Sequence, residues 1–328
     1  MFKISIQFSC DWLKSFQPKT HKSTMTKLTF TDVATQLISQ LQTGKSKSTV
    51  DNYRTALRSF CHFSGGRVLI EQIDVPLMER YQQWLHEQHV TPNTISCYMR
   101  SLRSLLYRLK PSLKQQSLFD TVYTGKAHTD KRSIPFADIV RIRGLSLSPA
   151  SPLAFSRDLF LFSFYALGMP FVDIAFLLKS QIHNDHIIYY RHKTGQRICI
   201  KLETPIEQII HRYIRKDSPY VFPILSAGTH ADVFRDYENA RSRYNRHLRK
   251  IGEMAGLAHR LTSYVARHSW ASMAYHANID LSVISKALGH TSPNTTLTYI
   301  REIDDQRIDQ ANSLLLDKFS GKKLQVIK

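Results

Sequence analysis

Apolar residues recur at helical spacing almost without interruption from Thr29 to Leu109. Phe30, Val33, Ala34, Leu37, Ile38 and Leu41 form the first stripe, behind a capping threonine at 29 or 31. A Gly-Lys-Ser-Lys-Ser loop leads into a second predicted helix over residues 49–63, whose inner face uses Val50, Tyr53, Leu57 and Phe60. Third and fourth helices are predicted over residues 76–88 and 91–109. The last opens Thr-Pro-Asn-Thr, with proline in the first turn, where its missing N–H has no partner to lose. Four helices without a strand signal make a small all-helical domain.

The pattern then breaks. Residues 110–134 carry Pro111, Gly125 and the basic run Lys126, His128, Lys131 and Arg132 with little periodicity, which reads as an exposed basic linker. From Ile134 the chain is mostly helical again, with one interruption. Residues 187–190 and 197–202 read as two strands joined by the turn Arg191-His192-Lys193-Thr194-Gly195-Gln196. Ile198, Ile200 and Leu202 alternate with Arg197, Cys199 and Lys201, so one face is buried and the other basic. Helices are predicted around residues 206–214, 231–255, 265–278, 281–288 and 295–300, and Ile308, Ala311, Leu314 and Leu315 mark a closing amphipathic segment. The expected fold class is mainly α. A 28-residue N-terminal extension precedes the helical domain at 29–109, and after the linker an α-rich domain with a small antiparallel sheet fills 135–328.

Charge adds direction to this outline. Among 328 residues, 45 are Lys or Arg and 26 are Asp or Glu, a net charge of +19 that favours a polyanionic partner. Two basic sets recur at helical intervals in the first domain: Lys45, Lys47, Arg54 and Arg58, then Arg100, Arg103 and Arg108. Such residues and helix N-termini are what contact phosphates. With Lys131 and Arg132, they are the expected DNA-binding residues. No apolar run approaches the roughly 20 residues of a membrane span. The first 28 residues lack the apolar core of a signal peptide. The four cysteines have no metal or disulfide spacing, which fits a reducing cytoplasm. The expected location is cytoplasmic and nucleoid-associated, with neither metal nor cofactor.

The chemistry-bearing residues cluster late. Arg267-His268-Ser269 is followed by Ala287-Leu288-Gly289-His290, then a Thr-Thr pair, then Tyr299 nine residues after His290. Asp280 and Ser292 are candidate caps for the two short helices that carry this run. Cutting a phosphodiester without a metal requires a nucleophile, positive charge for the phosphorane and an acid for the departing 5′ oxygen. A tyrosine, a planar guanidinium, a histidine and a lysine supply that set.

In order, spacing and helix context this constellation resembles the tyrosine recombinase (phage integrase) family over residues 29–320. The resemblance implies a SAM-like core-binding domain followed by a catalytic domain of the DNA breaking-rejoining fold. It makes Tyr299 the nucleophile that forms a 3′-phosphotyrosyl intermediate, Arg267 the phosphate-binding fork, His290 a donor to the phosphate and Lys193 the leaving-group acid. His268, next to Arg267 on a helix, points elsewhere and is expected to be structural. It implies duplex DNA as partner, a homotetramer in synapsis that passes through a Holliday junction, a monomer or weak oligomer when free, and in some settings a DNA-bending accessory protein. The short N-terminal extension suits a simple-site integrase or invertase.

Two boxes depart from the family's pattern. Tyr264 stands where His-x-x-Arg usually begins, as Tyr264-Val265-Ala266-Arg267. In the first box, Gly168-Met169-Pro170-Phe171-Val172-Asp173-Ile174, Pro170 occupies the arginine's place and Asp173 that of the acidic buttress. Arg157, upstream on the same apolar helix, is the expected replacement for that charge. The departures leave a catalytically impaired DNA-binding relative as an alternative, and a type IB topoisomerase that relaxes supercoils as another.

Overall fold

The computed structural model of the chain describes residues 28–44, 46–127, 132–226 and 230–298, together with Asn312, Ser313 and Leu316. It divides into two compact units, residues 1–129 and 130–328.

In the first unit, α1 (Phe30–Leu41), α2 (Lys47–Ser64), α3 (Val75–Glu87) and α4 (Pro92–Leu109) enclose one core. Their starts follow from capping chemistry. Thr29 and Asp32 exchange hydrogen bonds in a capping box, Ser46 opens α2 and Asp74 opens α3. Gly65 ends α2 at φ 69°, a left-handed geometry suited to glycine. Phe60 sits between Phe30 and Tyr81 in edge-on contacts, with centroids 5.8 and 5.2 Å away.

The exposed linker expected over 110–134 is largely anchored instead. A 3-10 turn at Pro111–Gln116 carries Leu113 into the core, and Leu118, Phe119 and Val122 follow it. Side chains of α4 then bind the backbone: Ser96 donates to the Gly125 carbonyl at 2.6 Å, and Asn93 brackets Ala127 through bonds of 3.0 and 3.1 Å. These apolar residues fit neither period, because the chain turns between them, so a search for periodicity passes over them. Beyond 131, Ser133 and Ile134 are buried in the second unit.

The second unit contains α5 (Phe136–Arg143), α6 (Pro152–Tyr165), α7 (Phe171–Ala175), β1 (Ile182–His183), β2 (His186–Tyr190), β3 (Arg197–Lys201), α8 (Thr204–Tyr213), α9 (His230–Met254), α10 (Val265–His276), α11 (Leu281–Ala287) and α12 (Pro293–Leu297). α6 is its axis. Consecutive residues Leu159, Phe160, Leu161 and Phe162 are all buried, because α8, α9 and α10 all pack against this helix. The sheet has three antiparallel strands in the order β1-β2-β3, one more than the two expected; β1, two residues long, is too short to alternate. Ile187 pairs with Ile200 and Tyr189 with Ile198, and all four face the core. A small satellite core of Ala271, Ala274, Ile284 and Leu288 joins α10 to α11. The closing segment at 308, 311, 314 and 315 lies outside the described residues. No described helix is long and apolar enough to cross a membrane.

Candidate active site

Arg267 enters on the first turn of α10 and is 2% exposed. Its Nη1 donates to the Gly168 carbonyl at 2.9 Å and its Nη2 to the Leu288 carbonyl at 2.5 Å. This approach requires glycine at 168. A Cβ there would lie 2.9 Å from Arg267 Cα, and φ is +71°. Two fixed carbonyls therefore hold the fork before any ligand arrives.

His290 sits beside it, with Nε2 3.1 Å from Arg267 Nη2 and Nδ1 2.9 Å from the hydroxyl of the buried Thr296. Guanidinium only donates, so Nε2 accepts and the ring proton resides on Nδ1, pointing at Thr296. Burial, reinforced by the positive charges of Arg267, Arg191 and Lys193, pulls the imidazole down to about 4. The residue is thus neutral near pH 7. The expectation that it donates to a phosphate meets a tautomer whose facing nitrogen carries no proton.

The β2–β3 turn comes to the same place. Thr194 donates to the Gly289 carbonyl at 3.0 Å, and Gly195, at φ +65°, donates its N–H to Arg191 O at 2.8 Å. Lys193 is exposed on this turn. Arg191, 7% exposed, reaches underneath: Nη1 donates to the Leu288 carbonyl at 2.8 Å and to the Gly289 carbonyl at 3.3 Å. Its Nε lies 3.5 Å from the Asp173 carboxylate, which also takes the backbone N–H of His192 and faces the His192 ring, each at 3.1 Å. Gly289 makes this packing possible, since a Cβ would come within 2.5 Å of Arg191 Cδ. Arg191 and Arg267 therefore converge on one carbonyl oxygen, that of Leu288.

Sequence reasoning missed Arg191, though a signal was present. On β2 the inward positions are Ile187 and Tyr189, and Arg191 continues that alternation past the strand's end. Arg157 goes elsewhere. Its Nε donates to Asp158 at 2.9 Å and its Nη1 to the Leu145 carbonyl at 2.8 Å, and Asp158 also binds Arg212 and Tyr213. The charge expected of Arg157 at the first box is spent on that cluster. Tyr264 is exposed at the start of α10, its ring 6.4 Å from that of His268. Pro170 precedes α7 and is buried. Ser269 accepts the Ile134 N–H at 2.9 Å.

In the first unit, Lys47, Arg54, Arg58, Arg100 and Arg108 are exposed and Arg103 is half-buried. Arg54 pairs with Asp51 at 3.3 Å, and Arg100 donates to the Ser96 carbonyl. Arg132 is exposed. Tyr299, Lys45 and Lys131 lie outside the described residues. Among the described residues, no cluster of His, Cys, Asp and Glu is arranged to hold a metal ion.

Comparison with known proteins meets this geometry at both units. Residues 138–306 match the phage integrase family, and residues 29–108 match the phage integrase SAM-like domain. Tyrosine recombinase XerC of Rickettsia canadensis (strain McKiel) is 24% identical over 279 residues, covering 80% of this chain and 88% of that protein. Two solved structures share the fold. The Tn1549 transposon integrase in complex with transposon right end DNA has a TM-score of 0.64 at 13% identity, covering 88% of this chain and 100% of that one. A lambda integrase tetramer bound to a Holliday junction has a TM-score of 0.63 at 14% identity, covering 85% and 80%. With more than half of its length inside the family match, and Arg267 and His290 gathered around one turn, the chain belongs to the phage integrase family and is a tyrosine recombinase.

Proposed function

We propose that this recombinase cuts and rejoins duplex DNA at a specific site through Tyr299, working as a tetramer in which two duplexes exchange strands by way of a Holliday junction. The observation that carries the residue assignment is the Arg267 fork, held by two main-chain carbonyls with His290 Nε2 against its Nη2. In the proposed step the Tyr299 phenolic oxygen attacks the scissile phosphorus. A P–O bond to tyrosine forms as the P–O5′ bond breaks. The phenolic proton passes to the neutral His290 Nε2, and the imidazolium so formed then donates to a phosphorane oxygen, which restores the donor role at the moment charge develops. Arg267 presents its planar fork to the nonbridging oxygens. Lys193, on its exposed turn, delivers a proton to the leaving 5′ oxygen. Tyr264 offers a hydroxyl to the same phosphate. The exchange conserves one phosphodiester for one phosphotyrosyl ester and so requires no nucleotide cofactor.

The exposed arginines of α2 and α4, with Lys45, Lys47, Lys131 and Arg132, are proposed to hold the duplex backbone. Their contribution is charge neutralisation without sequence reading. Integration or inversion at a mobile element is the proposed setting.

The test begins with capture of covalent protein–DNA adducts from cells expressing the chain, which maps the cleavage site. A duplex of that sequence with a nick beside the exchange point then traps the adduct. The native chain is expected to accumulate it, and Tyr299→Phe to form none while still binding the duplex. Binding without adduct by the native chain would sink the enzymatic reading and leave a DNA-binding relative. Relaxation of supercoiled plasmids that lack the mapped site would point to a topoisomerase instead.

A further inference from the structure

The first box of this chain has no arginine, and the site described so far gives the phosphate one guanidinium. We propose that Arg191, from the end of β2, is the second guanidinium of this active site and supplies the charge that Pro170 cannot. The proposal rests on the recombinase reading above and extends it to a residue from a different structural element.

Three observations carry it. Arg191 and Arg267 both donate to the Leu288 carbonyl, at 2.8 and 2.5 Å, so the two forks stand side by side at the turn that bears His290. An oxygen with two cationic donors is the arrangement a nonbridging phosphate oxygen would also find there. Second, the fork is not used up. Nη1 is taken by the two carbonyls and Nε faces Asp173, while among the described residues Nη2 has no hydrogen-bond partner. Third, the charge is poorly compensated. Asp173 is the carboxylate in contact, at 3.5 Å, and it is shared with two donors from His192. The positive field at the turn is strong enough to help keep His290 neutral.

The architecture also explains why the substitution at Pro170 is tolerable. Asp173, three residues beyond Pro170 on α7, still buttresses an arginine. That arginine now arrives from the sheet edge rather than from the loop before α7. Lys193, two residues further along the turn, is brought to the site by the same backbone, so one hairpin delivers both the phosphate cation and the leaving-group acid.

The test uses single-turnover adduct formation by the full chain on the nicked duplex, with either an ordinary scissile phosphodiester or a methylphosphonate there. The methylphosphonate replaces one charged nonbridging oxygen by a neutral methyl and reduces the need for cationic stabilisation. Arg191→Gln keeps an amide donor for the Leu288 carbonyl but loses the charge. Removing such a stabilising donor is worth about 100-fold or more in rate. Arg191→Gln is therefore expected to be slower than native by that factor on the phosphodiester. On the methylphosphonate the ratio of native to variant should be far smaller, because less charge develops there. Arg191→Lys, with charge but no fork, should lie between native and glutamine on the phosphodiester. Melting curves and duplex affinity of both variants report folding. An equal loss on both substrates would mean that Arg191 only braces the turn, and a glutamine variant as fast as native would mean that it is idle; either overturns the proposal. If the native chain itself forms no adduct, the preceding reading fails and not this assignment.

Discussion

Two places in the second unit bring a pair of arginines together, and they are resolved in opposite ways. Between α6 and α8, Arg157 and Arg212 meet on the carboxylate of Asp158, at 2.9 and 2.5 Å, and Tyr213 adds a third donor at 2.8 Å. A charge is present at the centre and both carboxylate oxygens are satisfied. At the turn after α11, Arg191 and Arg267 meet on the carbonyl of Leu288, a dipole without net charge. The first cluster is complete. The second is electrostatically unfinished, and an anion is what completes it. The number of arginines thus says little about whether a site is structural; the charge of the atom they share says much more.

That contrast predicts how each cluster breaks. Asp158 has a side chain 3% exposed, so Asp158→Ala leaves cations and a hydroxyl without their acceptor. The expected loss is about 3–5 kcal/mol of stability, seen as a melting temperature lower by about 10 °C. Adduct formation per folded molecule should be unchanged. Arg157→Ala should follow the same pattern with a smaller shift, and a selective loss of cleavage there would return Arg157 to the active site.

Arg267→Lys should do the reverse. A lysine cannot reach the Gly168 and Leu288 carbonyls with one planar group, so cleavage is expected to fall about 10²–10³-fold. Single-turnover trapping beside a melting curve separates the two effects, and a variant that loses stability but not rate would erase the distinction drawn here. Gly289→Ala should hit both at once. At φ +62° its Cβ would press on Arg191 Cδ and Ile198 Cδ1, 2.5 and 2.9 Å away, for a destabilisation of about 1–3 kcal/mol together with slower cleavage.

The smallest expected effect is one of pH. His290 is held at about 4, below its ordinary 6.5. Between those values the unfolded chain binds a proton that the folded chain does not. Stability therefore falls as pH drops through that window and is unaffected above it. His290→Gln should flatten this dependence, read as the difference between urea midpoints at pH 7 and pH 5. A variant with the native slope would mean that the imidazole is not kept neutral by its surroundings.

Much of this molecule was readable from sequence, for identifiable reasons. The four helices of the first unit follow from apolar residues every third or fourth position, and the start of α1 from Thr29; Ser46 and Asp74 open α2 and α3 one or two residues ahead of the expected starts. The gathering of Arg267 and His290 could be anticipated, because the short helices between them fix the distance along the chain; of the two expected caps, Asp280 accepts the Ser282 N–H, while the Ser292 side chain makes no capping hydrogen bond. What holds Arg267 and His290 could not be anticipated. The acceptors are the carbonyls of Gly168, Leu288 and Gly289, and a carbonyl leaves no mark in sequence because every residue has one. Arg191 was hidden by its place in a turn that otherwise reads as solvated. The anchored path after Leu109 was hidden because Leu113, Leu118 and Phe119 belong to no regular element with a period.

The Leu288 carbonyl has a practical consequence for anyone dissecting this site. Conventional scanning at 288 would remove a leucine that packs beneath α10 and report lost packing, while the oxygen on which two arginines meet would survive every replacement. Its contribution is open only to chemistry on the main chain. Exchanging the amide between residues 288 and 289 for an ester weakens the oxygen as an acceptor while leaving every side chain in place. The atom on which the two arginines meet is invisible to the genetic code.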